Sequence, residues 1–285
     1  MTDLISIDSD FKSFQQIIEL YHEHKDDLFE TIEVNIKDWF KANMCSALGA
    51  VLEFFSKNLN TIEFTFSDKK IENILLRNNF LSFFEYGLLP DSNQTTIKYL
   101  RLNPNDGKYF KKYVVSELVS REGMPNMSFK VSEKITESIY EIFVNAQIHS
   151  ESPSIFTCGQ YFPNMHLIEF TITDIGIGFK NKINSRFKTN LNSVQAIKWA
   201  VADKNTTKVE TPGGIGLALL KEFVHLNKGR MQIISDDGYY VYDSERERTK
   251  LFDKPFPGTI VNLQFKTNDA SLYVTSDEVD QDNIF

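Results

Sequence analysis

Polar residues recur four positions apart within an otherwise apolar stretch of the sequence. Glu141, Asn145 and His149 have this spacing, so an α-helix would carry all three along one face. Ile139 and Phe143 would then lie on a different face that can be buried. Such a polar stripe is also typical of an ordinary solvated helix surface, so alone it does not establish a site.

A second candidate begins where an alternating, strand-like segment ends at Asp174. The residues that follow are Ile175, Gly176, Ile177 and Gly178. A carboxylate at a strand end can accept a hydrogen bond from a planar ligand, and glycines allow that ligand to approach the backbone closely. A plain turn is the alternative interpretation.

A third candidate is the glycine-rich segment at residues 211–217, which directly precedes a helical pattern. Free N–H groups at a helix start favour a phosphate, whereas a glycine-rich linker is the alternative. Five of the 13 glycines fall in these last two stretches, which favours a ligand site. They are Gly176, Gly178, Gly213, Gly214 and Gly216.

Periodicity predicts the elements that position these residues. Helices are expected over residues 108–119, 132–149 and 215–226, and strands over 154–162, 166–174, 230–235 and 259–265. Pro163 and Asn164 would join the first two of these strands as a hairpin. Upstream, helix-like segments at 11–25, 43–58 and 70–78 alternate with strand-like segments at 31–36, 61–66 and 96–102.

This order predicts a two-layer α/β sandwich preceded by a smaller α/β domain. We predict the smaller domain over residues 1–103, the larger domain over 104–267, and a tail over 268–285. The tail carries five acids and no base, so it is expected to be flexible or loosely docked.

Composition excludes several classes of protein. Lys and Arg number 31 against 39 Asp and Glu, for a net charge of −8, so direct nucleic-acid binding is not expected. No apolar run approaches the length of a membrane span, and the first residues lack a signal-peptide pattern. Cys45 and Cys158 are too few for a disulfide scaffold. We therefore expect a cytoplasmic protein.

The order of the three candidates resembles that of the GHKL ATPase superfamily, in its anti-sigma and histidine-kinase-like branches. The resemblance extends over residues 105–266 and implies the Bergerat ATP-binding fold. No Gly-x-x-x-x-Gly-Lys loop is present, which argues against a Walker-type NTPase.

The resemblance implies ATP and Mg²⁺ as ligands. Asn145 would bind the Mg²⁺ ion, Asp174 would receive the adenine amino group, and Glu141 would be the general base. Further residues would contact the nucleotide, namely Gly176 and Gly178 around adenine, Gly214, Gly216 and Leu217 around the phosphates, and Thr259 near adenine.

Residues 180–212 would form a lid in this family. Thr207 and Lys208 are candidate contacts of the γ-phosphate, although a mobile solvated loop is the alternative. His149 would either lie near the phosphates or simply end its helix.

Residues 31–52 resemble the start of a STAS domain, the partner of anti-sigma kinases. The usual phosphorylated serine is missing, since Asn43, Met44 and Cys45 occupy that region and Ser46 is the neighbouring hydroxyl. The domain would then be a docking or regulatory piece, with phosphorylation of Ser46 a lesser option. An unrelated βαβα layer is equally compatible.

The leading hypothesis is a Mg²⁺-dependent ATPase that acts as a nucleotide-controlled switch on a protein partner. That partner would be its own STAS-like domain or a separate regulator, and a homodimer is compatible. The alternatives are a serine/threonine protein kinase of the anti-sigma type and a non-catalytic module that responds to ATP.

Overall fold

The computed structural model describes residues 2–149, 152–202, 216–243 and 246–278. Within them the chain is a mixed α/β protein, as the sequence predicts, and its strands form three sheets. The strands are β1 (Thr2–Ile7), β2 (Thr31–Phe40), β3 (Thr61–Phe66), β4 (Thr96–Leu102), β5 (Asn126–Met127), β6 (Ile155–Phe162), β7 (Leu167–Asp174), β8 (Arg230–Asp243), β9 (Arg246–Lys266) and β10 (Leu272–Tyr273). The helices are α1 (Phe11–His24), α2 (Cys45–Lys57), α3 (Lys69–Arg77), α4 (Gly107–Tyr113), α5 (Phe129–His149), α6 (Gly178–Phe187), α7 (Ser193–Val201) and α8 (Gly216–Leu226).

Strands β1, β2 and β3 form a parallel sheet, and with α1–α3 they make up what we call the N-terminal unit. Strand β1 was not predicted from the sequence. The open edge of β1 is capped because the Gln16 amide accepts from the backbone N–H of Ile5 at 2.8 Å and donates to its carbonyl at 3.0 Å. The edge of β3 is capped in a similar way, since Phe64 N–H donates to the Tyr86 hydroxyl at 3.0 Å. Capped edges resist pairing with other chains.

The second sheet has five antiparallel strands in the order β4-β6-β7-β9-β8. The predicted hairpin is confirmed, because β6 and β7 pair in antiparallel register and residues Pro163–Met165 join them. Strand β4 lies before the predicted domain boundary at residue 103, yet it pairs with β6 of this sheet.

Strands β8 and β9 continue well beyond the strands that the sequence predicts and form a two-stranded ribbon. The ribbon packs on α1, where the rings of Phe11 and Phe252 stack with centroids 4.4 Å apart. His22 Nε2 also lies 2.8 Å from the Pro255 carbonyl oxygen. The ribbon therefore ties the N-terminal unit to the larger sheet.

The five-stranded sheet is covered on both faces, which creates two apolar cores. In β7, Ile168, Phe170 and Ile172 point into the core formed with α5 and α8. The opposite face of the sheet, which includes Phe156 and Cys158, closes a core with α1 and α2. The sheet is thus the layer between two sets of helices.

The beginning of the predicted tail is docked. Strand β10 pairs in parallel with β5, and Lys130 Nζ lies 2.8 Å from Asp277 Oδ2. Ser128 Oγ donates to Glu278 Oε2 at 2.7 Å. The last seven residues of the predicted tail lie outside the described residues.

No helix among residues 2–149, 152–202, 216–243 and 246–278 combines the length and apolar character that a bilayer crossing requires.

Candidate functional site

Asp174 is the last residue of β7, on the face of the sheet that α5 and α8 cover. In the strand register it lies opposite Ile155 of β6 and Thr259 of β9. The side chain is buried, and its Oδ1 atom has no hydrogen-bond partner among the described residues. Desolvation by burial raises the pKa of Asp174 to about 7. A buried carboxyl oxygen without a donor is a group that a ligand donor would satisfy.

The backbone beside Asp174 is packed too closely for side chains. A Cβ atom on Gly258 would lie 1.9 Å from the Asp174 carbonyl oxygen and 2.9 Å from the Gly176 nitrogen. Gly178 has φ +69°, the left-handed region that glycine tolerates best, and a Cβ there would lie 2.9 Å from Ser235 Oγ. Gly178 and Gly258 thus allow the turn after β7, which contains Gly176, to pass against β8 and β9.

Ser235 of β8 contacts this turn, a role that the sequence did not indicate. Its Oγ accepts from Phe179 N–H at 2.9 Å and lies 3.2 Å from Thr259 Oγ1. Thr259 therefore lies beside the turn, with 8% of its surface exposed. A single serine within a strand gives no sequence signal of such a role.

Helices α5 and α8 bring together two predicted site residues that are far apart in the chain. Glu141 Oε2 accepts a hydrogen bond of 2.8 Å from the backbone N–H of Gly216, the first residue of α8. A Cβ on Gly216 would lie 2.6 Å from the same oxygen, so glycine is needed for this approach. A carboxylate at a helix start is stabilised by the free N–H groups and the helix dipole.

The other predicted residues on these helices occupy distinct positions. Asn145 is half-buried on α5 one turn after Glu141, and Leu217 is buried at the start of α8. His149 ends α5, and its side chain lies outside the described residues. Thr207, Lys208 and Gly214 also lie outside the described residues.

The first part of the predicted lid is helical. Residues 178–201 contain α6 and α7, and α7 begins with a capping box in which Asn192 and Gln195 exchange hydrogen bonds. Ile183, Ala196 and Ile197 are buried. Lys180 Nζ lies 2.6 Å from Asp236 Oδ2 of β8, which fastens α6 to the ribbon. The described part of this segment is thus packed on the sheet.

The region predicted as a lesser phosphorylation site is buried on the opposite face of the sheet. Ser46 is fully buried, and its Oγ lies 2.9 Å from the Phe156 carbonyl and 2.8 Å from Thr173 Oγ1. Asn43 Nδ2 lies 3.1 Å from Thr171 Oγ1. Phosphorylation of Ser46 is therefore incompatible with this packing, because a phosphate would carry its charge into a dry core.

A cavity of about 870 Å³ lies elsewhere, between the end of α3, β4 and a π-helical turn at Val114–Val119. Arg77, Lys98 and Arg121 line it together with Asp91 and Glu117. None of the predicted site residues lines this cavity. Among the described residues, no group of three or more His, Cys, Asp or Glu side chains could hold a metal ion.

No protein-family model matches the chain, and no curated protein sequence matches it.

Proposed function

We propose that the protein binds ATP with Mg²⁺ in the manner of GHKL proteins and acts as a nucleotide-controlled switch on a protein partner. The observation that carries the proposal is the buried carboxyl of Asp174, whose Oδ1 has no partner among the described residues. Adenine offers an exocyclic amino group, which is a donor of the kind this oxygen lacks. Guanine offers a carbonyl at the equivalent position, which would face the carboxylate with an acceptor.

The residues around Asp174 hold it at a closely packed strand end. Gly258 and Gly178 let the turn after β7 lie against β8 and β9 without side chains between them. Thr259 lies on the strand next to Asp174 and Ser235 holds the turn in place. These contacts support an adenine subsite at the end of β7.

Glu141 and Gly216 would form the phosphate end of the site. The backbone N–H of Gly216 is a donor suited to a phosphate oxygen, and in the structure the Glu141 carboxylate uses it. Asn145 would hold Mg²⁺ through its amide oxygen. The bound Mg²⁺ would neutralise part of the triphosphate charge. Glu141 would accept a proton from an attacking water or protein hydroxyl.

The partner of the switch would be a separate chain. The N-terminal unit shares a continuous core with the sheet, and Lys41, Asn43 and Ser46 bury polar side chains against it. Such packing suits a permanent contact better than a transient one. We also propose that this unit is similar to a STAS domain.

The test is thermal melting of the full chain with Mg²⁺ and either ATP or GTP. A ligand that binds only the folded state raises Tm as its concentration rises. We expect ATP to raise Tm and GTP at the same concentration to have a much smaller effect. Equal shifts with the two nucleotides, or no shift with ATP, would reject the adenine subsite.

The chemical outcome distinguishes the three forms of the hypothesis. Labelled ATP would be incubated with the protein and a cell extract. Release of free phosphate alone supports an ATPase, and label on a protein supports a kinase. Binding without either product supports a non-catalytic module.

A further inference from the structure

Two loops at one end of the N-terminal unit expose bulky apolar side chains. Leu28 and Phe29 follow α1, and Leu59 follows α2. Their exposed fractions are 58%, 75% and 64%. We call these three residues the apolar tip. Single exposed apolar residues are common, but three adjacent ones form a patch of the kind that marks interaction sites.

The backbone of the apolar tip is also unfavourable for the residues that occupy it. Phe29 has φ +60° and Leu59 has φ +61°. This left-handed region is uncommon for bulky side chains, whereas glycine and asparagine adopt it readily. Stability alone would therefore favour small or polar residues at both positions. The exposure and the backbone conformation of positions 29 and 59 therefore do not account for the phenylalanine and the leucine found there.

Hydrogen bonds hold the two loops together. Phe29 N–H donates to the Asn58 carbonyl at 3.4 Å, and Asn60 Nδ2 donates to the Asp27 carbonyl at 2.9 Å. Glu30 N–H returns a hydrogen bond of 2.9 Å to Asn60 Oδ1. The apolar tip is thus presented on a fixed frame, which lowers the entropic cost of docking a partner.

The rim of the apolar tip is acidic. Residues 23–30 carry four carboxylates, Glu23, Asp26, Asp27 and Glu30, against one lysine, Lys25, which is an excess of three negative charges. Part of this charge is paired, since Lys25 Nζ lies 3.1 Å from Asp26 Oδ2 and His24 Nδ1 lies 2.8 Å from Asp27 Oδ2, whereas Glu30 is exposed. An apolar centre with a negative rim complements a surface that is apolar and positively charged.

We propose that the apolar tip docks a protein segment that combines apolar and basic residues, such as one face of an amphipathic Leu/Lys helix. A second copy of this chain would bring two acidic rims together, on a protein with a net charge of −8. An anionic membrane would be repelled for the same reason. The proposal does not depend on the nucleotide site.

The experiment uses the full chain and two synthetic helical peptides of about 18 residues, or five turns. One peptide carries Leu on one face and Lys on the other, and its partner has Glu in place of Lys. Binding is measured by calorimetry at low and high salt. We expect the Lys peptide to bind and the Glu peptide to bind at least about tenfold more weakly. High salt should lower the affinity for the Lys peptide.

The variant Phe29→Asn with Leu59→Asn removes the two apolar side chains that have a left-handed backbone. We expect it to bind the Lys peptide at least about tenfold more weakly while its Tm stays unchanged or rises. Leu88→Asn is the matched control, because Leu88 is 62% exposed and has no positive φ. It should keep the affinity of the native protein.

Four outcomes would overturn the proposal. Equal affinity of the double variant and the native chain would show that the peptide binds elsewhere. Equal affinity for both peptides would show that the acidic rim does not contribute to binding. A native dimer that the double variant loses, seen by light scattering, would make a second copy the occupant. Binding of the native chain to phosphatidylserine vesicles, lost in the double variant, would make a membrane the occupant of the apolar tip.

Discussion

The buried carboxylate of Asp174 destabilises the folded protein when it is ionised, and a ligand that donates a hydrogen bond to it would offset that cost. Burial raises its pKa to about 7, whereas an aspartate in an unfolded chain has a pKa of about 3.9. The folded protein therefore binds the proton more tightly. The resulting stability is fully present below about pH 4 and is lost as pH rises through about 7. Above pH 7 the ionised group is buried without a donor for Oδ1 among the described residues.

Asp174→Asn should raise the stability of the folded protein and lower its affinity for ATP. At pH 8 we expect a higher Tm than in the native protein, because the buried charge is gone, and a smaller dependence of Tm on pH between 6 and 8. ATP binding should weaken by about 1.5–3 kcal/mol through loss of a charge-assisted hydrogen bond. Scanning calorimetry at pH 6 and pH 8 measures the Tm, and titration calorimetry measures the ATP affinity.

Asp253→Asn is an exposed control and should change neither the Tm nor the ATP affinity. A lower Tm for Asp174→Asn than for the native protein would contradict the account, because it would show that the aspartate is stabilising.

Glu141→Gln should remove turnover while keeping the structure. The glutamine Oε1 can still accept from Gly216 N–H, so we expect Tm and ATP affinity close to those of the native protein. Glu141→Ala should also lose turnover, and its Tm should fall because the helix start loses a cap worth about 0.5–2 kcal/mol. The measurement is phosphate release. Undiminished release by the Gln variant would reject Glu141 as the base.

The matched control lies one turn earlier on α5. Glu137 pairs with Lys111 on an exposed surface, so Glu137→Gln should leave turnover and affinity unchanged and cost at most about 1 kcal/mol of stability.

At the scale of elements, the turn after β7 depends on close backbone packing. A methyl group on Gly258 would overlap the Asp174 carbonyl oxygen at 1.9 Å, and backbone cannot give way as a flexible side chain can. We expect Gly258→Ala to lower stability by about 3 kcal/mol or more and to weaken ATP binding. Gly87→Ala has open space around it and should be neutral. Similar urea unfolding curves for the two variants would contradict this packing.

The sequence predicted those elements whose periodicity is uniform. The alternating β7 and the apolar stripe of α5 are examples, and β3 was predicted with its observed bounds, Thr61–Phe66. Strands β8 and β9 were predicted too short, because residues 246–250 are polar and exposed and show no apolar alternation. Their strand conformation comes from pairing with residues 239–243 of β8, and context of this kind can override the pattern of a single segment. Helix α6 was missed because its composition is polar. Helix α7 was missed although most of its residues are apolar, because it lies within the segment that was interpreted as a lid.

The candidate site was only partly visible in the sequence. Spacing alone could place Glu141 on a helix and Asp174 at a strand end, but it could not show that Glu141 meets Gly216, 75 residues away. The burial of Asp174 depends on packing between strands and helices that are distant in sequence. For the same reason the roles of Ser235 and of the close approach at Gly258 could be seen only in the fold.

At the scale of the whole molecule, the N-terminal unit is joined to the sheet by a buried polar network. Lys41 Nζ lies 3.3 Å from Glu169 Oε1, and Glu169 is 2% exposed. Ser9 Oγ donates to the same carboxylate, and Asn43 Nδ2 lies 3.2 Å from Asn262 Oδ1. Buried polar pairs of this kind tolerate few alternative arrangements, so they favour a single packing of the unit on the sheet.

Asn43→Ala should therefore destabilise the whole chain. It leaves the buried hydroxyl oxygens of Ser9 and Thr171 without the Asn43 donor, while Asn262 Oδ1 keeps the donor of Thr171, and we expect a loss of about 2–4 kcal/mol. Because the core is continuous, native and variant proteins should each unfold in one transition. Asn93→Ala, at an exposed position, serves as the control. Two separate transitions in differential scanning calorimetry would show that the unit and the sheet fold independently.

The central claim is that an adenine nucleotide satisfies the carboxyl of Asp174. It is tested most directly by calorimetric titration of a non-hydrolysable ATP analogue with Mg²⁺ into the native chain and into Asp174→Asn at pH 8. We expect saturable one-site binding to the native chain and weaker binding to the variant. Absence of heat and of binding in the native chain, or equal affinity for both proteins, would contradict the account.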